Sequence, residues 1–185
     1  RLTTMTVAYG HGIAVSPLHL ASAYAALVNG GIWRPATLMK VQPGHEAKGR
    51  RIISARTSLI MRKLFRLVVT DGTGKNADVP GFRIGGKTGT AEKAGVGGYS
   101  KTKNVSTFAA AFPMDAPRYV VIAMLDSPQG SATSFGQTTA AYTAAPVVAK
   151  VIARTGPMLG VFPDTSREID LADMMPLLWK GKEEQ

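Results

Sequence analysis

Two apolar segments separated by a very short connection constrain the fold of this chain more than any other feature. Residues 106–112 and 119–126 are rich in Ala, Val, Ile and Phe, and only Met-Asp-Ala-Pro and its neighbours stand between them. Strands joined so closely pair as an antiparallel hairpin, because a parallel pair needs a crossover of about a dozen residues or more. The second segment, Tyr-Val-Val-Ile-Ala-Met-Leu, is apolar on both faces. It therefore predicts a central strand in a sheet that is covered on both sides.

Helices are predicted before and after these strands. The first covers residues 17–28, because Ser16 is a favoured N-cap and Pro17 fits the first helical position, where its missing N–H costs nothing. An Asn-Gly-Gly sequence at 29–31 ends this helix in a left-handed turn. A further strand over 82–92 precedes the hairpin. Helices followed by three strands and a last helix form an α+β arrangement.

Two more helices are predicted, over residues 54–70 and 141–154, with Pro146 in the first turn of the latter. The first of the two has an apolar stripe that comprises Ile60, Leu64, Leu67 and Val68. Its basic residues, which are expected mostly on the solvent-exposed face, are Arg62, Lys63 and Arg66. Core candidates on the last helix are Tyr142, Val147, Val148, Val151 and Ile152. Residues 32–53 are predicted to form an extended segment with a Pro-Gly turn at 43–44.

The net charge of +10, from 22 Lys and Arg against 12 Asp and Glu, favours an anionic partner. Nucleic acid, an acidic membrane surface and carboxylate-bearing substrates all meet that description. The cations are scattered, and no aromatic residues interleave with the densest groups, at 50–51 and 56–66, as a stacking platform requires. A solvated basic surface is therefore the favoured interpretation, and a nucleic-acid-binding module stays open as an alternative.

Cysteine is missing from the sequence, which excludes disulfides, thiolate catalysis and cysteine-type zinc sites. The three histidines, His11, His19 and His45, have no metal-ligand spacing, and no cofactor or metal is expected. No run of about 18 apolar residues occurs, so no membrane-spanning helix is predicted within the sequence.

The segment Lys87-Thr88-Gly89-Thr90 carries the most chemical information. On an extended strand, Thr88 and Thr90 point to one side and Lys87 to the other, because side chains alternate with period two. Gly89 has no side chain, so a ligand or another backbone can approach the strand closely. An ammonium and two hydroxyls beside an approachable main chain suit a carboxylate-bearing, peptide-like ligand that adds to a sheet edge.

By itself Lys-Thr-Gly is a common tripeptide that more often marks a surface turn, but its surroundings follow a known order. Gly-Thr-Gly-Lys at 72–75, Val-Pro-Gly-Phe at 79–82 and Gly-Lys-Thr-Gly-Thr-Ala-Glu-Lys at 86–93 precede and include it. This order resembles the transpeptidase domain of class B penicillin-binding proteins, the septal FtsI-type peptidoglycan synthases in particular.

Segments further away support the same resemblance. Tyr-Gly-His-Gly at 9–12 and Val-Ser-Pro-Leu at 15–18 are similar to the part of the family that follows its second motif. Residues 119–126, Phe-Gly at 135–136 and Ala-Ala-Pro-Val-Val at 144–148 resemble its last strand, an aromatic-Gly loop and the closing helix. The resemblance covers roughly residues 5–155. It implies part of the serine β-lactamase/penicillin-binding transpeptidase fold, an antiparallel sheet with three C-terminal strands and helices on both faces.

The family uses Ser-x-x-Lys, Ser-x-Asn and Lys-Thr-Gly motifs, and only the third is present in context. The resemblance implies that Lys87 supplies positive charge near the substrate carboxylate, and that Thr88 and Thr90 hydrogen-bond this carboxylate. The Thr90 main-chain N–H would form half of the oxyanion hole, and Gly89 would leave room for the acyl donor. Phe135 would help to wall the site.

The nucleophilic serine of the family is not expected in this chain. Its single Ser-x-x-Lys, at 100–103, follows the Lys-Thr-Gly strand and does not start a helix, so it is interpreted as accidental. No Ser-x-Asn occurs. The chain is therefore expected to be the C-terminal portion of a transpeptidase domain over 1–163 with a tail over 164–185, inactive alone.

By resemblance, the parent protein is expected to be a D,D-transpeptidase that cross-links peptidoglycan at the septum. Its expected ligands are peptidoglycan stem peptides and β-lactams, not nucleic acid. It is expected on the periplasmic face of the inner membrane, anchored by an upstream helix, with division proteins as partners. A serine β-lactamase or a D,D-carboxypeptidase, which share Lys-Thr-Gly, is the alternative within this class.

Overall fold

A computed structural model describes residues 2–8, 10, 13–95 and 98–178 of the chain. The helices are α1 (Leu2–Val7), α2 (Pro17–Val28), α3 (Ala55–Thr70) and α4 (Ala144–Thr155). The strands are β1 (Ile32–Trp33), β2 (Arg50–Arg51), β3 (Gly85–Gly95), β4 (Gly98–Phe112) and β5 (Tyr119–Asp126). Of the Tyr-Gly-His-Gly segment at 9–12, residues 9, 11 and 12 lie outside the described residues.

Local capping chemistry places the two long N-terminal helices where the sequence predicts them. The Ser16 hydroxyl accepts the main-chain N–H of His19 at 3.2 Å, and the Ser54 hydroxyl accepts that of Thr57 at 3.0 Å. Gly30, with φ of 91°, follows the end of α2 in the left-handed conformation. Of residues 32–53, only β1 and β2 are strands, and they pair as a short antiparallel ladder. The predicted turn at 43–44 is confirmed.

The main sheet has the order β3-β4-β5, and all of its pairs are antiparallel. The predicted hairpin of 106–112 with 119–126 is confirmed, with Ala109 opposite Ile122. Within the described residues, 119–126 is not the central strand, because β4 lies in the middle and β5 at the border of the three-stranded sheet. An apolar sequence indicates that both faces of a strand are covered. It does not indicate whether the strand has a hydrogen-bonded neighbour on one side or on both.

Three strand boundaries also differ from the prediction, and the first of them is the end of β3, at Gly95 instead of residue 92. β3 begins at Gly85 instead of residue 82, because Arg83 has a φ of 50° that a strand does not accommodate. β4 begins at Gly98, eight residues before the predicted start. The added part, 98–105, is mostly polar and forms the arm of a β3–β4 hairpin, so it lacks the apolar signal on which the prediction rested.

Helices cover both faces of this sheet, as the fold class predicts. On one face, Phe108 and Phe112 of β4 pack with Val148 and Ile152 of α4. On the opposite face, Ala111 packs with residues of α2 and α3. Alternation along β4 separates the two layers, since Phe108 and Phe112 share one parity and Ala111 has the other.

The face assigned to α3 requires correction. Arg62 is half-buried, and Lys63 and Arg66 are only 9% and 7% exposed, whereas Leu64 is exposed. The cations are buried because acidic residues reach them: Asp173 binds Lys63, while Asp78 and Glu168 bind Arg66. On α4, Val148 and Ile152 are buried as predicted. The other predicted core residues are exposed: Tyr142, which lies before the start of α4, and Val147 and Val151 on the helix.

Asp115, in the connection between β4 and β5, forms ion pairs with the buried Arg83 and the exposed Arg167. Its carboxylate accepts from Arg83 Nε at 2.6 Å and also pairs with Arg167. Burial alone would raise the pKa of Asp115, but the hydrogen bond and charge of Arg83, together with the charge of Arg167, lower it below its ordinary value.

The lowered pKa predicts a loss of stability in acid. As the pH falls, Asp115 is protonated in the unfolded state before it is protonated in the folded state, because its folded pKa is lower. The ion pair therefore contributes its full stability above about pH 4, and this contribution is lost as the pH falls through the folded pKa. In urea unfolding, Asp115→Asn should lower the free energy of unfolding at pH 7 by about 3 kcal/mol, since Arg83 stays buried without its anion. The variant should also lose less stability than the wild type between pH 5 and 3. Equal acid sensitivity of the two proteins would contradict this assignment.

Candidate active site

Lys87, Thr88, Gly89 and Thr90 lie consecutively in β3, at the border of the sheet. On one side they pair with β4, where Thr88 is opposite Phe108 and Thr90 is opposite Ser106. Within the described ranges no strand pairs with the other edge of β3. The tetrapeptide therefore runs along an open sheet edge, the arrangement that an added peptide strand requires.

Two hydrogen bonds indicate which main-chain groups face this open edge. The carbonyl oxygen of Ile84 accepts from Arg66 Nη1, and that of Thr88 accepts from Lys87 Nζ, both at 3.0 Å. Peptide groups alternate in direction along a strand, so the even-numbered residues of β3 direct their N–H and C=O groups away from β4. Thr90 shares this parity. Its N–H is therefore a donor directed at the open edge.

Hydrogen bonds fix the side chains of the tetrapeptide. Lys87 is exposed, and its Nζ lies 3.0 Å from the Thr88 carbonyl oxygen and 3.3 Å from the Thr88 hydroxyl. The Thr88 hydroxyl also lies 2.9 Å from that of Thr73, in the turn after α3. The Thr90 hydroxyl accepts the main-chain N–H of Ala140 at 3.1 Å. A hydroxyl that accepts in this way retains its own proton for a ligand.

Glycines of β3 differ sharply in the space around them. A Cβ placed on Gly86 would lie 2.4 Å from the Ala109 carbonyl oxygen, and one on Gly85 would lie 2.7 Å from Met114 side-chain atoms. A Cβ on Gly89 would meet only the Thr107 carbonyl oxygen, at 3.8 Å. Gly85 and Gly86 are therefore required for packing, whereas the space in front of Gly89 is open.

Phe135 lies in the loop that follows β5, after a short 3-10 turn of Ala132–Ser134. It is 82% exposed and has a φ of 52°. Further along the same loop, the Thr138 carbonyl accepts from Ser106 at 2.7 Å, next to the Ala140 contact with Thr90. The loop is thus attached to β3 and β4, and the wall role of Phe135 stays a prediction.

The Ser-x-x-Lys sequence at 100–103 lies within β4, at the irregular part of the hairpin. Glu92 pairs with Asn104 and Ala94 with Tyr99, so a bulge accommodates 100–103. There the Ser100 hydroxyl accepts the Lys103 main-chain N–H at 3.1 Å. Ser100 therefore lies in a strand and does not start a helix.

Other charged groups near the hairpin form a surface pair. Lys93 Nζ lies 2.7 and 2.9 Å from the two carboxylate oxygens of Asp126. The hydrogen bond from Lys93, and then that from Ser127, lowers the pKa of Asp126. Both side chains are exposed, so the pair adds little stability. Among the described residues, no group of three or more His, Cys, Asp and Glu side chains could hold a metal ion.

Sequence reasoning did not identify two groups that contact the tetrapeptide, the Thr73 hydroxyl and the Ala140 main-chain N–H. Thr73 belongs to the Gly-Thr-Gly-Lys segment at 72–75, so its position in that segment was the available signal. Ala140 contributes only a main-chain group, for which the sequence holds no signal.

The profile of the penicillin-binding protein transpeptidase domain matches residues 2–153. The chain therefore belongs to the penicillin-binding transpeptidase family, as the order of its motifs predicts. Over 168 residues it is 46% identical to a probable peptidoglycan D,D-transpeptidase FtsI from Caulobacter vibrioides. Over a further alignment of 168 residues it is 37% identical to stage V sporulation protein D from Bacillus subtilis.

These alignments cover 86% and 85% of the chain but 28% and 25% of the relatives, so the chain spans about a quarter of their length. Among solved structures, the apo transpeptidase domain of penicillin-binding protein 3 from Burkholderia pseudomallei is similar, with a TM-score of 0.78 and 34% identity over 88% of this chain and 48% of that chain. Penicillin-binding protein 3 from Mycobacterium tuberculosis, complexed with aztreonam, gives a TM-score of 0.75 at 28% identity, over 88% of this chain and 39% of that one. In the described part of the chain, no helix has the length and apolar character needed to cross a membrane.

Proposed function

We propose that the protein to which this chain belongs is a peptidoglycan D,D-transpeptidase that acts in septal cell-wall synthesis through a serine acyl-enzyme. The serine attacks the D-Ala-D-Ala amide of a stem peptide, releases D-alanine, and then passes the acyl group to an amine of a neighbouring stem. The acylating serine is assigned to a part of the protein outside residues 1–185. The chain supplies the strand against which the substrate binds.

Each residue of the tetrapeptide has a proposed role. Lys87 places a positive charge beside the substrate carboxylate, and the hydroxyls of Thr88 and Thr90 donate hydrogen bonds to it. The Thr90 N–H donates to the oxyanion that develops on the attacked carbonyl, and removal of one such donor typically costs about 10²–10³-fold in rate. The open space before Gly89 accommodates the acyl donor, and Phe135 closes one side of the site.

The observation that carries this proposal is the open edge of β3. It combines the Lys87 cation, hydroxyls held by Thr73 and Ala140, and an outward-directed main-chain donor at Thr90. These groups match an anionic peptide in charge, in hydrogen bonding and in extended shape.

The basic surface gives less support to nucleic-acid binding than the net charge of +10 suggests. Lys63, Arg66 and Arg83 are buried and form ion pairs, so they do not contribute to an exposed basic stripe.

We assign the protein to the periplasmic face of the inner membrane, with β-lactams as inhibitors and division proteins as partners. The similarity to an FtsI-named relative supports this placement.

Incubation of the full-length protein with a fluorescent penicillin, and separately with a D-Ala-D-Ala stem peptide and an amine acceptor, tests the proposal. We expect long-lived covalent labelling by penicillin and release of D-alanine coupled to incorporation of the acceptor. Release without incorporation would identify a carboxypeptidase, and steady penicillin hydrolysis would identify a β-lactamase. A protein that neither labels nor releases D-alanine would refute acyl transfer.

A further inference from the structure

The segment after α4, residues 164–173, packs back across the molecule beyond the part of the chain that matches the family profile. Its main chain is held at the start, where the Asp164 N–H donates to the Gly81 carbonyl at 2.9 Å. Ile169, only 7% exposed, packs with Phe65 of α3 and with Met114. We call residues 164–173 the strap.

Two ion pairs join the strap to α3. Asp173 accepts from Lys63 Nζ at 2.6 Å. Glu168 accepts from Arg66 at two nitrogens, Nε at 3.0 Å and Nη2 at 2.6 Å. Both nitrogens donate to the same carboxylate oxygen, Oε2, so the contact restrains the orientation of the planar guanidinium as well as its position.

Arg66 extends this contact to the substrate strand. Its Nη1 donates to Asp78 at 2.8 Å and to the Ile84 carbonyl oxygen at 3.0 Å. Ile84 directly precedes β3 and lies three positions before Lys87. The acceptor is one of the main-chain groups directed away from β4, on the same edge as the Thr90 N–H. Thus one buried guanidinium connects the strap with the open edge of β3.

A displaced Ile84 shifts the following residues too, because an extended strand transmits a displacement along its length. A misplacement of about 1 Å at reacting groups costs up to about 10²-fold in rate. The geometry points to Arg66 as a positioning residue for the acylation site, with Glu168 of the strap holding its guanidinium in place. This inference rests on the proposed function.

The matched pair Glu168→Gln and Asp173→Asn tests it in the full-length protein. Both substitutions remove one charge of the strap from a pair with a buried cation, but only Glu168 acts on the cation that contacts Ile84. At saturating fluorescent penicillin we expect Glu168→Gln to lower the acylation rate constant per labelled site by about tenfold or more. Asp173→Asn should leave this rate constant unchanged while lowering the melting temperature.

Two measured quantities distinguish a positioning role from a general effect on stability: the acylation rate constant per labelled site and the fraction of protein that labels. A merely structural role of Glu168 would reduce the number of sites that label and leave the rate constant per site at the wild-type value, which would overturn the inference. Equal loss of rate in both variants would overturn it as well. If Glu168→Gln does not fold, Glu168→Asp takes its place, because it keeps the charge on a shorter side chain. Its acylation rate constant should again be lower than that of Asp173→Asn. A wild-type protein that fails to label would instead refute the proposed function.

Discussion

Replacement of Lys87 by alanine is expected to slow the acylation of the full-length protein by penicillin by about 10²-fold or more. The ammonium lies at the open edge, 3.0 Å from the Thr88 carbonyl oxygen, where an anionic ligand aligned with β3 would meet it. Stopped-flow or gel-based labelling at several penicillin concentrations gives the second-order rate. Because the side chain is exposed, the melting temperature should hardly change.

Lys150→Ala is the matched control, since Lys150 is also exposed but lies on α4. It should label at the wild-type rate. If the surface charge as a whole attracts the antibiotic, the two variants will slow equally. Undiminished labelling of Lys87→Ala would contradict the role assigned to this lysine.

The second large effect is expected for Gly89→Val. A Cβ at this position meets only the Thr107 carbonyl oxygen, at 3.8 Å, and valine favours extended backbone, so the fold should persist. The added side chain stands on the same face of the strand as that of Lys87 and occupies the space proposed for the acyl donor. We expect acylation to fall by about 10²-fold or more, with an unchanged urea midpoint.

Gly86→Ala gives the opposite pattern and serves as the comparison. Its new Cβ would lie 2.4 Å from the Ala109 carbonyl oxygen, so the β3 or β4 backbone must shift. Overpacking of this kind costs about 1–3 kcal/mol, and the urea midpoint should fall. Normal labelling of Gly89→Val would show that the acyl donor does not occupy the space in front of Gly89. A urea midpoint as low as that of Gly86→Ala would show that this space is not open.

Features determined by local chemistry could be predicted from the sequence. Ser16 and Ser54 each begin a helix through a bond to a residue three positions later. The β5 boundaries, 119 and 126, agree with the predicted ones, since the apolar run has the length of the strand. The extended course of Lys87–Thr90 also followed from local sequence, and its family context followed from the order of the motifs.

Features that depend on distant residues were missed. The prediction that Lys63 and Arg66 lie on the solvent-exposed side of α3 is wrong, because helical periodicity treats every cation as solvated. Their partners Asp173 and Glu168 lie 110 and 102 positions further along the chain. The contact of Thr90 with Ala140 spans 50 positions, so it is likewise invisible to local reasoning. Burial of a charge depends on its partner, and a single sequence does not show which residues meet in the fold.

We expect the reacting ligand to bind along the open edge of β3. A crystal structure of the full-length protein acylated by penicillin would show where the ligand lies. We predict that the carboxylate of the bound antibiotic accepts hydrogen bonds from the Thr88 or Thr90 hydroxyl, and that its acyl carbonyl oxygen accepts from the Thr90 N–H. A covalent adduct whose carboxylate and carbonyl both lie away from β3 would refute binding at this edge.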